Sequence, residues 1–420
     1  GADPKSVTHI SIPCPSSIAV NQTTAKAYVV GCGVGVVDLT TNKVVGSLRT
    51  YSDLWGIAVD SVRNRIFVIE ENASVHTAWV DVFDGRTNAW ITEIPLPSHS
   101  HGVAVNARTS KVYVTNYYSD SVSVIDEATN TIVDTFDPSP GETSYPFDVV
   151  VNEATNRVYV SETYNYPIPI SDYVGKVFVV DGASDSALGS ISLQDKASVP
   201  AWLAIDETNN RLYAATYFSP HVYGIDTSTN SLIAKIDVAP YRPAGVTIDP
   251  RIKRAYVSVE SGDWPNTPDQ LITIDETTNK ILSRTRIDGV AEGVAQYQAG
   301  YEVLVASNFG GYIDVLTEDP DAPVLSMGTP MPSVMHSGSQ VTGTVTDDLS
   351  GVRDVEVTFA GTGLTVRSAT LNCTTTANLS CTWTATVPDL PGAFTVRAKA
   401  TDRAGSTQDI GSLGAITVIP

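Results

Sequence analysis

Four carboxylate residues that lie far apart in the chain occupy positions of an internal repeat that are expected to converge on one face. They are Asp53, Asp148, Glu162 and Glu292. Hydrolysis of a glycosidic bond needs two carboxyl groups facing each other across it, one protonated as the acid and the other acting as base or nucleophile. Carboxylates that lie close together also raise one another's pKa, as a general acid requires. These four residues are therefore the predicted catalytic groups of a glycoside hydrolase.

Aromatic and polar residues recur around the same points of the repeat. Aromatic faces offer stacking surfaces for sugar rings, and carboxylate, amide and imidazole groups offer hydrogen bonds to sugar hydroxyls. We expect Asp53, His99, Glu162, Arg242 and Glu292 to share one cavity with the other binding residues. The predicted substrate-binding residues are Trp55, Glu70, His99, His101, Asn116, Tyr117, Tyr164, Trp202, Tyr217, His221, Arg242, Glu260, Trp264 and Asn308.

Other interpretations of these residues stay open. Acidic residues such as Glu71 and Glu260 can belong to a solvated surface, and aromatic rings such as Phe147 and Tyr117 can simply pack between strands. The histidines His99, His101 and His221 could instead serve as acid or base in a polysaccharide or lactone lyase, or bind a metal. A non-catalytic cell-surface module that binds a glycan or a protein is a further alternative. The sequence contains no P-loop, GxSxG, HExxH or dinucleotide fingerprint, and we expect neither a cofactor nor a metal.

A repeat must bring these distant residues together. Seven similar stretches align on Ser17, Gly56, Gly102, Asp148, Trp202, Gly245 and Gly293, with successive spacings of 39, 46, 46, 54, 43 and 48 residues. Each unit contains four short runs rich in Val, Ile and Tyr, separated by polar turns. A period of roughly 40–50 residues with four strands per unit is typical of a β-propeller. The long, irregular loops between the second and third strands mark the face that carries function, because repetitive turns belong to the scaffold.

The seventh unit is short, since no fourth strand follows "YEVLVASNFGGYIDVLT". Residues 6–13, "SVTHISIP", are similar to "NAWITEIPLP", the fourth strand of another unit. An N-terminal strand that completes the last blade would close the ring and remove an exposed edge. The predicted fold class is therefore all-β: a seven-bladed β-propeller closed by an N-terminal strand, followed by an immunoglobulin-like β-sandwich.

The segment "VYVTNYYSDSVSVIDEATN" contains the tetrapeptide Tyr113-Val114-Thr115-Asn116. With its repeats, it resembles the YVTN family of β-propellers over roughly residues 6–318. The resemblance implies the propeller fold and an exported or cell-surface protein. Glycosidases built on propellers frequently handle furanose polymers, so a fold-level analogy implies an arabinan-type polysaccharide as substrate.

A second domain follows a cluster of prolines that is typical of a linker. We predict a propeller over 1–318, a linker over 319–323 and an immunoglobulin-like β-sandwich over 324–420, where alternating strands are separated by turns. The segments "VTDDLSGV" and "ATDRAG" resemble bacterial immunoglobulin-like domains, which implies a spacer or an accessory binding module.

Charge and cysteine content restrict the partners and the compartment. With 26 basic and 46 acidic residues the net charge is −20, which disfavours binding to nucleic acid. The sequence contains no run of eighteen apolar residues, so we expect no membrane insertion. The spacing of the four cysteines favours disulfides Cys14–Cys32 and Cys373–Cys381, and thus an oxidising compartment. We interpret "GADPKS" as the start of a mature, secreted or cell-surface chain. The expected protein is a monomer whose partner is a polysaccharide or oligosaccharide.

Overall fold

The computed structural model describes residues 5–72, 74–75, 77–97, 99–163, 170–263, 266–317, 323–327, 332–347, 352–361, 365–373, 380–402 and 407–420. The chain divides into two compact units, Thr8–Val315 and a second unit that contains Leu316–Pro420 with Gly1–Val7. Within the described ranges, helical structure is confined to two single 3-10 turns, Tyr117–Ser119 and Ile170–Asp172. No helix there has the length and hydropathy needed to cross a membrane. The chain is all-β, as predicted.

The first described residues form strand β1 (Lys5–Ser11). Four-stranded antiparallel sheets, the blades, then follow one another. Blade 1 comprises β2 (Ser17–Asn21), β3 (Lys26–Val30), β4 (Val34–Asp38) and β5 (Lys43–Leu48). Blade 2 comprises β6 (Asp53–Asp60), β7 (Arg65–Asn72), β8 (Thr77–Asp84) and β9 (Ala89–Leu96). Blade 3 comprises β10 (Ser100–Asn106), β11 (Lys111–Asn116), β12 (Ser121–Asp126) and β13 (Thr131–Phe136).

The next three blades repeat this order. Blade 4 comprises β14 (Pro146–Asn152), β15 (Arg157–Glu162), β16 (Lys176–Asp181) and β17 (Ser186–Ser192). Blade 5 comprises β18 (Pro200–Asp206), β19 (Arg211–Thr216), β20 (His221–Asp226) and β21 (Ser231–Asp237). Blade 6 comprises β22 (Arg242–Asp249), β23 (Arg254–Glu260), β24 (Asp269–Asp275) and β25 (Lys280–Ile287).

Blade 7 contains strands from both ends of the propeller. It comprises β26 (Ala291–Tyr297), β27 (Glu302–Ser307) and β28 (Tyr312–Thr317), and its fourth strand is β1, in the order β1-β28-β27-β26. The innermost strands β2, β6, β10, β14, β18, β22 and β26 contact one another in this order, and β26 also contacts β2. The ring is therefore closed by the N-terminal strand, which confirms the predicted fold class.

The strand sequences reflect how each strand is packed. In β11, five consecutive residues from Val112 to Asn116 are buried, because both faces of this strand pack against neighbouring blades. In the outer strand β13, the residues from Thr131 to Thr135 are exposed. The turn before β13 is held by Asp126, whose Oδ1 accepts a hydrogen bond from the Thr129 amide at 2.8 Å, while Asn130 adopts a φ of 53°. Asn tolerates this left-handed conformation better than most residues, which explains its recurrence in the turns.

The residues of the tetrapeptide join blades to one another. The Tyr113 hydroxyl donates to the Gly182 carbonyl oxygen of blade 4 at 3.4 Å, and Tyr213 donates to Asn279 Oδ1 of blade 6 at 2.8 Å. Thr115 Oγ1 accepts a hydrogen bond from the Gly102 amide within blade 3 at 2.8 Å. The repeated tyrosine thus contributes contacts between blades, and the repeated hydroxyl residue contributes a contact within its blade.

The second unit is a two-sheet sandwich. Its strands are β29 (Val324–Met327), β30 (Val334–His336), β31 (Gln340–Thr346), β32 (Val352–Ala360), β33 (Thr365–Ser368), β34 (Thr370–Cys373), β35 (Ser380–Thr386), β36 (Gly392–Asp402) and β37 (Thr407–Ile419). The sheets have the orders β29-β31-β35-β34 and β30-β37-β36-β32-β33. Trp383 of the first sheet and Phe359 of the second are fully buried in one shared core. Most of the predicted linker, residues 319–322, lies outside the described residues.

Both predicted disulfides are present. Cys14 and Cys32 are bonded with their Cα atoms 5.4 Å apart, and Cys373 and Cys381 are bonded with their Cα atoms 4.0 Å apart. The first bond joins the chain before β2 to the chain after β3, at the same end of blade 1. The second joins two residues that face each other on the paired strands β34 and β35. The two bonds are compatible with an extracellular protein.

Candidate functional site

A cavity of about 400 Å³, here called the mouth, opens where the seven inner strands begin. Every blade contributes to its lining, and the residues at the repeat register meet there as the spacing predicts. One lining residue from each blade, in ring order, is Ser17, Trp55, His101, Phe147, Trp202, Gly245 and Glu292. Its volume is within the range of small-molecule sites.

Irregular pairing shapes the wall of the mouth. In blade 3, Ser100 pairs with Asn116 and Val103 pairs with Val114, so that His101 and Gly102 together face Thr115. Such a bulge changes the direction of a side chain. Five other inner strands are irregular at the corresponding place. A side chain at Gly102 would place its Cβ 2.7 Å from the Cα of Asp148, so the close approach of blades 3 and 4 requires glycine here.

Aromatic rings from four consecutive blades form a continuous row along one side of the mouth, here called the aromatic arc. It consists of Trp55, His101, Phe147, Trp202 and Tyr217. The successive ring centroids are 4.4, 4.8, 6.2 and 5.9 Å apart. The rings at the two ends remain accessible, since Trp55 is 42 % and Tyr217 is 45 % exposed. The arc therefore presents aromatic surface to solvent at the mouth.

His101 is an uncharged member of the arc at neutral pH. Its ring stacks on Phe147 and lies against Trp55. Burial among these rings is the main reason that the pKa of His101 falls to about 4, and the nearby His99 lowers it further. The imidazole thus offers a flat, neutral surface with hydrogen-bonding nitrogens.

Two predicted catalytic carboxylates, Asp148 and Glu292, line the mouth. Asp148 Oδ1 accepts a hydrogen bond from the Val149 amide, and its Oδ2 accepts one from the Leu203 amide of blade 5, both at 2.8 Å. Burial raises the pKa of Asp148 to about 6, although these two bonds oppose the shift. Because both oxygens are engaged by the backbone, the Asp148 carboxylate joins blades 4 and 5.

Glu292 lies on the side of the mouth that the aromatic arc leaves open. Its Oε1 accepts a hydrogen bond from Asn308 Nδ2 at 2.5 Å, and its Oε2 accepts none from the described residues. Burial raises the pKa of Glu292, the Asn308 bond lowers it, and the charge of Glu260 raises it. This carboxylate therefore has an oxygen available to a ligand.

The other two predicted catalytic carboxylates do not line the mouth. Asp53 is exposed and lies in a neighbouring depression with Tyr51 and Cys32. Glu162 ends β15 and is 3 % exposed, and burial is the main cause that raises its pKa to about 8. Of the five residues expected to share one cavity, only Glu292 belongs to the lining.

Two predicted binding residues are enclosed within their own blades. Asn116 donates to Ser121 Oγ and Ser123 Oγ at 3.1 and 2.9 Å and accepts from Ser100 Oγ at 3.0 Å. Glu70 is fully buried, and its Oε2 accepts hydrogen bonds from the Tyr51 and Ser52 amides. Burial, followed by the neighbouring Asp81, raises the pKa of Glu70 to about 8. Neither residue is exposed to the mouth.

The remaining predicted residues surround the mouth or lie farther out. Tyr117 packs near His101, with 5.3 Å between ring centroids. His99 Nδ1 lies 3.4 Å from Oε1 of the buried Glu71, and Arg242 forms an ion pair with Glu260 at 3.4 Å. His221 begins β20 and is not part of the lining. Tyr164 and Trp264 lie outside the described residues. In the described ranges, no three His, Cys, Asp or Glu residues are grouped to hold a metal ion.

Phe147 lies in the wall of the mouth, although it is not among the binding residues predicted from the sequence. The sequence suggests packing between blades, but Phe147 lines the mouth between His101 and Trp202. Its place in the repeat, one residue before the register position, is the same as that of Trp55 and His101. This shared position in the repeat could have identified Phe147 as a lining residue from the sequence.

Comparison with known proteins does not restrict the ligand further. A scan with protein-family models finds no match to the chain, and a search of curated proteins finds no significant sequence relative.

Proposed function

We propose that this chain is a secreted glycan-binding propeller of the YVTN type, whose mouth holds sugar rings against the aromatic arc. The arc itself is the observation that carries the proposal. Aromatic faces of the arc, such as those of Trp55 and Trp202, can pack against the apolar faces of pyranose or furanose rings, and their desolvation stabilises binding. Glu292 and Asn308, across the opening, offer partners for sugar hydroxyls.

The geometry supports binding more strongly than hydrolysis. Glycoside hydrolysis needs two carboxyl groups free to exchange protons or attack the sugar. In the mouth, Asp148 has both oxygens bonded to backbone amides, which leaves Glu292 as the lining carboxylate with a free oxygen. The raised pKa of Glu292 is the observation that keeps hydrolysis, including that of arabinan-type polymers, as the second candidate.

Calorimetric titration of the purified chain with plant and bacterial cell-wall oligosaccharides tests the proposal. We expect one class to bind with micromolar to millimolar affinity, with no release of reducing ends. Trp55→Ala should weaken that binding at least tenfold because it removes an accessible end of the arc. Leu188→Ala, which truncates an exposed residue of the outer strand β17, is the control and should bind like the parent. Release of reducing ends that Glu292→Gln abolishes would instead establish hydrolysis.

A further inference from the structure

Among the described residues that line the mouth, the ionisable side chains are two carboxyl groups and the imidazole of His101, which is neutral at neutral pH. The two acids are Asp148 and Glu292, and none of these described lining residues is Lys or Arg. The guanidinium of Arg242 is paired with Glu260. The field in the opening is therefore negative, as the net charge of −20 also suggests.

Two features of this opening favour a positive group on the ligand. The faces of Trp, Tyr and Phe rings attract cations through their quadrupoles, and the attraction grows when the cation is desolvated. Glu292 Oε2 is available on the side opposite the arc, while Asn308 holds Oε1 in place. An ammonium group near Glu292 would thus meet a carboxylate, in a cavity whose opposite side is lined by the aromatic arc.

We propose that the mouth selects glycans that carry protonated amino groups, such as glucosamine oligomers, over neutral and acidic glycans. This inference rests on the proposed glycan-binding function and specifies its ligand class. Uronic acid polymers are excluded by the same field, because their carboxylates would approach Glu292 and Asp148 with no cation to compensate. A sugar amine supplies both the charge for Glu292 and a ring for the arc.

Binding of three oligosaccharides of equal length tests the selectivity at about pH 6.5 and low salt. The probes are an oligomer of β-1,4-linked glucosamine, its fully N-acetylated counterpart and an oligogalacturonate. We expect the amine oligomer to bind at least tenfold more tightly than the N-acetylated one, and the oligogalacturonate not to bind. Added salt should weaken the amine oligomer selectively, because screening acts on its charge.

Variants locate the effect. Glu292→Gln retains an oxygen that accepts from Asn308 but removes the charge, so affinity for the amine oligomer should fall about tenfold while that for the N-acetylated oligomer changes less than twofold. Asp134→Asn removes the same charge from the exposed outer strand β13 and should change neither. If Glu292→Gln fails to fold, the salt dependence of binding to the parent protein still tests whether the charge of the amine contributes to affinity.

The outcomes separate the two proposals. Equal binding of the amine and N-acetylated oligomers overturns the selectivity and leaves glycan binding intact. Equal affinity for an oligolysine of the same charge also overturns it, since the sugar ring would then contribute nothing. Failure of every oligosaccharide to bind overturns the proposed function itself.

Discussion

Thr115 Oγ1 donates a 2.7 Å hydrogen bond to the carbonyl oxygen of Phe147, across the contact between blades 3 and 4. Serines at the same repeat position do likewise: Ser161 bonds to the Ala201 carbonyl oxygen at 3.0 Å, and Ser258 bonds to that of Glu292. The receiving residues lie at or beside the mouth. The third residue of the tetrapeptide therefore holds the wall of the mouth in place.

Replacing that hydroxyl should destabilise the propeller. Thr115→Val keeps the shape but leaves the Gly102 amide and the Phe147 carbonyl oxygen without their partner, at a cost of about 1–3 kcal/mol. Urea denaturation followed by tryptophan fluorescence measures the effect. Thr135→Val, at an exposed position of β13, is the matched control and should leave the midpoint unchanged. Equal midpoints for the two variants would contradict the assigned role.

Buried acids should make the propeller less stable as the pH rises. Burial is the main cause that raises the pKa of Glu276 from 4.5 to about 8, and the carboxylate of Asp206 adds to it. Burial is also the main cause that raises the pKa of Glu127 to about 7. Because the folded state holds these protons more tightly than the unfolded state, their stabilising contribution is complete below about pH 4.5. It is lost as the pH rises from about 4.5 to about 8.

Substitution of one such acid checks the sign of this dependence. Glu276→Gln should reduce the slope of unfolding free energy against pH between about pH 5 and pH 8 by up to about 1.4 kcal/mol per pH unit. Urea midpoints measured across that range give the slope. Glu356→Gln, an exposed position of β32, should leave the slope unaltered. A parent protein that becomes more stable over this range would refute the prediction.

The closing strand carries an ion pair whose loss should weaken the ring. His9 Nδ1 of β1 lies 2.6 Å from Asp314 Oδ1 of β28, and the side chains are 51 % and 2 % exposed. Burial raises the pKa of Asp314 to about 6, and His9 opposes the shift. His9→Leu leaves the buried Asp314 carboxyl without its imidazole partner, and we expect a loss of about 1–2 kcal/mol, because half of the His9 side chain is solvated.

A double-mutant cycle isolates this pair. Asp314→Asn in the His9→Leu background should recover part of the lost stability, since it removes the uncompensated charge. Thermal unfolding of the single and double variants gives the comparison. If the two substitutions are simply additive, the pair makes no contribution to closure.

The two disulfides should act on different units. The Cys14–Cys32 bond joins residues separated by 18 positions, and loop-closure arguments assign about 3 kcal/mol to a bond of this span. The double variant Cys14→Ser/Cys32→Ser should therefore lower the unfolding temperature of the propeller. The double variant Cys373→Ser/Cys381→Ser is the control, because those residues belong to the other unit. Calorimetry measures the unfolding transition of each unit. A propeller transition that shifts in the Cys373→Ser/Cys381→Ser variant and not in the Cys14→Ser/Cys32→Ser variant would contradict the prediction.

The repeat, the order of the blades, the closing strand and both disulfide pairings could be predicted from the amino-acid sequence. These features depend on local patterns. A similar stretch of sequence recurs in every unit. Residues 6–13 have the pattern of an outer strand, and the seventh unit has no outer strand of its own in the sequence that follows it. Cys14 and Cys32 lie at the same end of two adjacent antiparallel strands, so short-range connectivity is enough to place them together.

Which polar residues face the mouth could not be predicted in the same way, because it depends on packing between blades. Strand β15 is buried at five consecutive positions, so no alternation in its sequence shows that Glu162 points away from the cavity. The irregular pairing of the inner strands also changes the direction of residues such as His101. Asp148 is engaged by the Leu203 amide, which lies 55 positions along the chain and in another blade. Such contacts depend on how closely two blades approach, and the sequence of either blade alone does not contain that distance.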